Sequence, residues 1–267
     1  MSERVLPDPH SPGAWVVRVG GADQSWVDPD DPTRLEFDYM QRLADQLDHH
    51  APPGQRMRVV HVGGAAMTLA RYVAHTRPTS PQIVLEPDAA LTEEVRAKIP
   101  LPRTSGIKVR PVDGRSGIEA MRDDYADVVV VDAFDGARVP GDLVGIDFFS
   151  QARRVLQADG LLLFNVTDTH PFGWTRRVLA GISTYFGHAM LAAESATLKG
   201  RRFGNVVIAA SPVALPVAEL ERTASGAVFP YRLVHGEHLV RLVGGAQPFH
   251  GAGERSPGPP AGRTFFE

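Results

Sequence analysis

Between residues 57 and 212, short apolar runs alternate with stretches of helical period. The runs are Arg58 to Val62, Gln82 to Glu86, Lys108 to Val112, Asp127 to Asp132 and Leu161 to Val166. Most are too short for helices and rich in β-branched residues, so they predict buried strands of a parallel sheet. The intervening periodicity predicts helices over Thr68 to Ala74, Asp88 to Lys98, Ser116 to Arg122, Asp147 to Gln157 and Trp174 to Phe186. Strand and helix in alternation announce an α/β domain. Two later runs, Ala189 to Ala193 and Asn205 to Ala210, have no long helix between them. They predict an antiparallel pair closing one edge of the sheet.

The flanks carry different patterns. Trp15 to Val19, a Gly20-Gly21 turn and an apolar segment around Trp26 and Val27 predict an N-terminal hairpin region over residues 1–32. Thr33 and Glu36 have capping-box spacing ahead of Phe37, Met40, Leu43, Ala44 and Leu47, so a helix is predicted to start near Thr33 and end before Pro52. That helix leads the α/β domain, residues 33–212. A helix around Ala218 to Thr223 and a mixed segment through Val243 are expected to pack back on it, in a segment covering 213–250. Residues 251–267 are rich in Gly and Pro, a composition that predicts a disordered tail.

Composition narrows the classes. Apolar residues at 43% and charged residues at 22% suit a folded soluble chain. The net charge of −3 gives no reason to expect nucleic acid or an anionic membrane as partner. With no cysteine, disulfides, thiolate metal sites and thiol nucleophiles are excluded. The histidines, His49-His50 included, lack metal-ligand spacing, so no metal is expected. No uncharged apolar stretch of about 18 residues occurs, and the expectation is a cytoplasmic, unexported protein.

Candidate chemistry gathers where strands end, because ligands of open α/β sheets bind beyond the carboxyl ends of the strands. After the first run, Gly63 and Gly64 stand at a strand-to-helix turn, where backbone N–H groups can face a nucleotide. A glycine pair alone marks a plain tight turn as readily. The second run ends in Glu86, 22 residues after Gly64, the distance at which an acid can accept hydrogen bonds from ribose hydroxyls. The third ends in Asp113-Gly114; Asp113 either accepts from an adenine amino group or caps the helix that follows. The fourth, V-V-V-V-D-A-F-D, ends in Asp132 with Asp135 three positions on, a pair suited to a cationic amine or, more simply, a capped loop and an exposed acid. Asp168 and His170 follow the fifth, as pocket lining or as loop caps. No phosphate-binding G-x-x-x-x-G-K-[ST] is present, and acids at three strand ends favour an adenosine ligand.

These residues together resemble the polyamine aminopropyltransferases, or spermidine synthases, and in particular the spermidine synthase-like proteins of high-GC bacteria. The resemblance covers roughly residues 15 to 211. In that family an N-terminal hairpin precedes a Rossmann-like methyltransferase fold with a seven-stranded, mostly parallel sheet. Asp132 and Asp135 fall on its D-x-x-D, Gln24 in Q-S-W-V-D on its glutamine, and Tyr39 in E-F-D-Y on its tyrosine. The resemblance implies that Gln24, Glu86 and Asp113 hold the nucleoside of decarboxylated S-adenosylmethionine, and the turn glycines Gly63, Gly64 and Gly114 are expected to border it. It implies that Tyr39 and Asp135 orient an amine and that Asp132 is the general base; Asp168, by its place after the fifth run, is expected to line the same substrate pocket. The resemblance also implies a homodimer.

Two departures stand out. The family's G-G-G-D-G is G-G-A-A-M here, placing Ala66 where an aspartate helps bind the amine, and Phe134 enters the D-x-x-D loop. Nucleoside binding is little affected, whereas putrescine as acceptor is less favoured. A methyltransferase using full S-adenosylmethionine and a nucleoside-binding protein without turnover are the other readings, since folds outlive their chemistry.

Overall fold

The computed structural model describes residues 3–259. Its elements run β1 (Val5–Pro7), β2 (Trp15–Val19), β3 (Ala22–Val27), α1 (Asp38–His50), β4 (Val59–Val62), α2 (Thr68–Thr76), β5 (Gln82–Leu85), α3 (Ala89–Lys98), β6 (Ile107–Arg110) and α4 (Gly114–Glu119). They continue with β7 (Ala126–Val131), α5 (Ile146–Val155), β8 (Leu156–Asp168), α6 (Gly173–Ile182), β9 (His188–Ala193), α7 (Ser195–Leu198), β10 (Gly204–Ser211), α8 (Val217–Gly226), β11 (Arg232–His235) and α9 (Gly236–Val243).

The large sheet has the order β11-β9-β10-β8-β7-β4-β5-β6. From β6 to β8 neighbouring strands are parallel, and from β8 to β11 they are antiparallel. This is the mostly parallel α/β arrangement that the alternating pattern predicts, but with eight strands rather than seven. The predicted edge pair β9 and β10 is present. Outside it β11 pairs with β9, so the pair does not close the sheet; four residues of partly exposed edge strand left too little alternation to be read.

Strand β7 shows why the fold holds. Successive side chains of a strand point to opposite faces. Val129 and Val131 enter one core with Phe148, Phe149, Phe164 and Leu179, while Val128 and Val130 enter the other with Leu43, Leu47, Tyr72 and Leu163. Both faces are covered, which is why the run is apolar at every position. Each of the four valines is fully withdrawn from water, stabilising the fold by roughly 1.5–3 kcal/mol per valine-sized group.

The N-terminal region is a three-stranded sheet, the expected hairpin with β1 added against β2. Its Val5, Val17 and Val27 form a third cluster with Ala66, Met67, Val84 and Val95. Helix α1 begins at Asp38, not Thr33. Asp31 Oδ1 takes the Thr33 amide at 3.0 Å and its hydroxyl at 2.5 Å, a local turn that competes with the capping box.

Part of the tail predicted to be disordered is packed. Gly253 N donates to Gly141 O at 2.7 Å, Ser256 N to Val139 O at 3.2 Å, and Trp174 Nε1 to Glu254 O at 2.8 Å. The glycines that suggest disorder here allow close approach of two backbones: a Cβ on Gly141 would lie 1.9 Å from Gly253 O. The remainder of that predicted tail, 260–267, lies outside the described residues. No helix among the described residues is long and apolar enough to cross a membrane.

Candidate active site

A cavity of about 720 Å³ lies over the carboxyl ends of the parallel strands, walled by β3, the start of α1 and the loop after β7. Of the ten residues singled out from sequence, Gln24, Tyr39, Gly63, Gly64, Glu86, Asp113, Gly114, Asp132 and Asp135 line it. In sheet order, Asp113, Glu86 and the glycine turn occupy one end, Asp132 the middle, and Asn165, Thr167, Glu194, Arg202 and Asn205 the other end. Its lining carries ten Asp and Glu side chains against two arginines, Arg42 and Arg202, so it attracts cations.

At the first end the glycine turn is tied to the neighbouring acid. Glu86 Oε2 accepts from Gly64 N at 3.1 Å and Ala65 N at 3.2 Å, and Oε1 accepts from Asp88 N at 3.0 Å. Gly63 has φ +87°, and a Cβ there would lie 2.3 Å from the Asp132 carbonyl oxygen. Only glycine lets the turn pass so close to β7. Asp113 caps α4 through Ser116 N at 2.8 Å, and that amide holds its carboxyl below the usual carboxylate range. It lines the cavity as well, so capping and facing the ligand site coexist. Gln24 Nε2 donates to Gly136 O at 3.1 Å, linking the hairpin to the loop after β7.

In the middle, Asp132 N donates to Val62 O at 2.9 Å, fixing the end of β7. Its Oδ1 accepts from Asn165 Nδ2 at 2.9 Å, and the Tyr39 hydroxyl donates to the same carboxylate. Burial pushes the carboxyl up to about 6, with the hydrogen bonds from Asn165 and Tyr39 pulling the other way. The Tyr39 hydroxyl is pushed well above its ordinary value, by burial first and then by the Asp132 charge. Asp132 can therefore take or release a proton near neutrality while Tyr39 stays protonated as a donor.

The other candidates sit differently. Asp135 is exposed at the cavity mouth, and its Oδ2 accepts from Arg255 of the packed C-terminal segment. Phe134 lines the cavity and packs against the larger core. Ala66 is fully buried under the N-terminal sheet and does not line the cavity. Asp168, expected on the substrate rim, also lies off it. Its Oδ2 accepts from Thr175 N at 3.1 Å and Thr175 Oγ1 at 2.7 Å, so its charge serves the first turn of α6.

Sequence reasoning missed Asn165, Asn205, Thr167, Glu194 and Arg202. A single signal was present for Asn165, a carboxamide ending the apolar run L-L-L-F-N, where a buried polar group needs a partner. Among the described residues no cluster of three or more His, Asp or Glu side chains is placed to hold a metal ion.

No protein-family profile matches the sequence. The chain is 24% identical over 143 residues to the polyamine aminopropyltransferase of Chromobacterium violaceum, a match covering 53% of each protein. The chain thus spans about half the length of the curated relatives it matches. Its structure is similar to that of a probable spermidine synthase from Corynebacterium glutamicum, with TM-score 0.85 and 28% identity over 92% of this chain and 91% of that one. In sequence and in fold the chain is thus similar to polyamine aminopropyltransferases and spermidine synthases. A spermidine synthase in complex with the transition-state analogue AdoDATO shares the fold at TM-score 0.56 and 17% identity, covering 90% of this chain and 79% of that one. In this chain the D-x-x-D of the sequence is the pair Asp132 and Asp135, one on the cavity floor and one at its mouth.

Proposed function

We propose that the protein is an aminopropyltransferase that moves the aminopropyl group of decarboxylated S-adenosylmethionine onto an amine and releases methylthioadenosine. The observation that carries this reading is Asp132, a carboxyl raised to about 6 on the cavity floor between an acidic end and a polar far end. An alkyl amine, with a pKa near 10, is protonated at neutral pH and cannot attack. Tyr39 and Asp135 would draw the ammonium in, and Asp132 would accept its proton. The freed nitrogen then attacks the aminopropyl carbon bound to the sulfonium. A C–N bond forms, the C–S bond breaks, and its electron pair passes to sulfur, leaving a neutral thioether. Holding the two reactants in line supplies much of the rate.

Glu86, Asp113 and Gln24 would hold the nucleoside, with Gly63, Gly64 and Gly114 leaving room for it. The nucleoside end carries acids and no lysine or arginine, which supports the decarboxylated cosubstrate, since a methionine carboxylate would meet like charge there. The curated relatives support the same reaction by their names, polyamine aminopropyltransferase. We infer a homodimer, as the family resemblance implies, and a cytoplasmic enzyme, since a chain without cysteine suits a reducing compartment.

The test is mass-spectrometric detection of methylthioadenosine after incubation with decarboxylated S-adenosylmethionine and a mixture of amines, with Asp132→Asn in parallel. Release that depends on Asp132 is expected. Equal release by both proteins sinks the assignment of the base, and absence of release with the nucleoside bound sinks aminopropyl transfer.

A further inference from the structure

Beyond Asn165, which holds Asp132, the far end of the cavity carries polar groups that touch neither the base nor the nucleoside residues. Thr167 on β8 and Asn205 on β10 stand opposite each other in register. Glu194 follows β9, Arg202 precedes β10, and Arg202 Nη1 donates to Glu194 Oε2 at 3.1 Å. Two polar atoms of these lining side chains, Arg202 Nε and Thr167 Oγ1, are withdrawn from water without any hydrogen-bond partner. An unsatisfied buried polar group costs about 1–3 kcal/mol, and a ligand that supplies acceptors there recovers it.

A plain diamine does not answer this end. Its second ammonium is a donor only, so it cannot accept from the unpartnered Arg202 Nε. It would reach Glu194 only beside the positive charge already paired with that acid. A carboxylate has the complementary chemistry: it accepts from the flat guanidinium and from a hydroxyl at once.

We propose that the acceptor is an amino carboxylate, with its amine presented to Asp132 and its carboxylate held by Arg202 and Thr167. The proposal rests on the aminopropyltransferase reading and narrows it. The bonds made and broken are those already described; the product is the N-aminopropyl derivative of the amino acid.

The experiment is calorimetric binding to the full chain saturated with methylthioadenosine. The ligands are matched pairs: ω-amino carboxylates and α,ω-diamines with three to six methylenes between their end groups. At the best chain length the amino carboxylate is expected to bind at least about tenfold more tightly than its diamine, a difference of about 1.4 kcal/mol. In Arg202→Gln that ratio should fall to about one or invert, and in Thr167→Val it should shrink several-fold. Equal or tighter binding of the diamine by the wild-type protein overturns the proposal without recourse to any variant, as does binding of neither ligand. So does an unchanged ratio in Arg202→Gln. If the variant instead loses affinity for full S-adenosylmethionine and keeps it for the decarboxylated form, Arg202 reads the carboxylate of the nucleoside cosubstrate, which also overturns it. A second arm supplies decarboxylated S-adenosylmethionine: carboxylate preference without release of methylthioadenosine sinks the transferase reading and leaves the acceptor site standing.

Discussion

Asn165 Nδ2 lies 2.9 Å from Asp132 Oδ1, and Asn165 Oδ1 in turn receives Asn205 Nδ2 at 3.1 Å. Three strands are thereby joined beneath the cavity, and the asparagine that touches Asp132 is held in one orientation. A hydrogen bond to the ionised form lowers a carboxyl's pKa, opposing the burial that raises it. Asn165 is a positioning residue that keeps Asp132 available as a base.

Replacing Asn165 with Leu removes that bond and leaves Asp132 more strongly protonated. The acid limb of kcat/KM against pH should move to higher pH. Below the limb, activity should fall about tenfold or more, the worth of one hydrogen bond to a charged group. The profile of methylthioadenosine release checks this: a uniform loss at all pH values would assign Asn165 a purely structural role.

Asp132 should trade stability for activity. Its carboxyl ionises at about 6 in the folded chain against 3.8 ordinarily, so between those values the folded state keeps a proton that the unfolded chain has lost. Folding is therefore penalised at pH above 6, and the penalty disappears as pH falls to about 4. Asp132→Asn is expected to abolish at least 99% of turnover and to stabilise the fold at pH 8 by about 1–3 kcal/mol. Urea unfolding at pH 8 and pH 4 tests the sign, since the gain must be confined to the higher pH.

Gly63→Ala tests how closely the nucleoside turn abuts the base. The added methyl would meet Asp132 O at 2.3 Å and Ala133 Cα at 2.9 Å, both backbone atoms, at a positive φ. Neither neighbour can rotate away. A loss of about 2–4 kcal/mol is expected, with kcat reduced because Asp132 shifts. An unfolding midpoint within about 0.5 kcal/mol of wild type would mean that the turn relaxes freely.

How much of this was legible in the sequence follows from how local each signal is. The V-V-V-V run announces a doubly covered strand, and Asp132 at its end inherits its place from the sheet. Glu86 and Asp113 are read the same way. The partners of Asp132 were not legible, because Asn165 and Asn205 reach it only through strand pairing, 33 and then 40 residues away. Asp168 misled because a strand end also begins the next turn, and Thr175 claims its carboxylate. Residues 251–259 misled because glycine serves close packing as well as flexibility, and only the facing Gly141 and Gly145 tell which.

Arg255 should compete with the amine for Asp135. The guanidinium occupies the carboxylate that the proposed mechanism uses to draw in an ammonium, yet both side chains are more than half exposed, so the pair is screened by water and salt. Exposed ion pairs of this kind contribute about 0–1 kcal/mol, which limits the competition to about fivefold. Arg255→Ala is therefore expected to lower KM for the amine by up to about fivefold at low ionic strength, with kcat unchanged. The advantage should fade at high salt, because the wild-type pair is then already loosened. Asp135→Asn should raise KM in the wild-type background, and should erase the effect of Arg255→Ala when the two are combined, since the arginine then guards no charge. Initial-rate measurements of the four proteins at two salt concentrations decide the matter: additive effects in the double variant would mean that Arg255 and Asp135 act independently, and that the packed C-terminal segment leaves amine binding untouched.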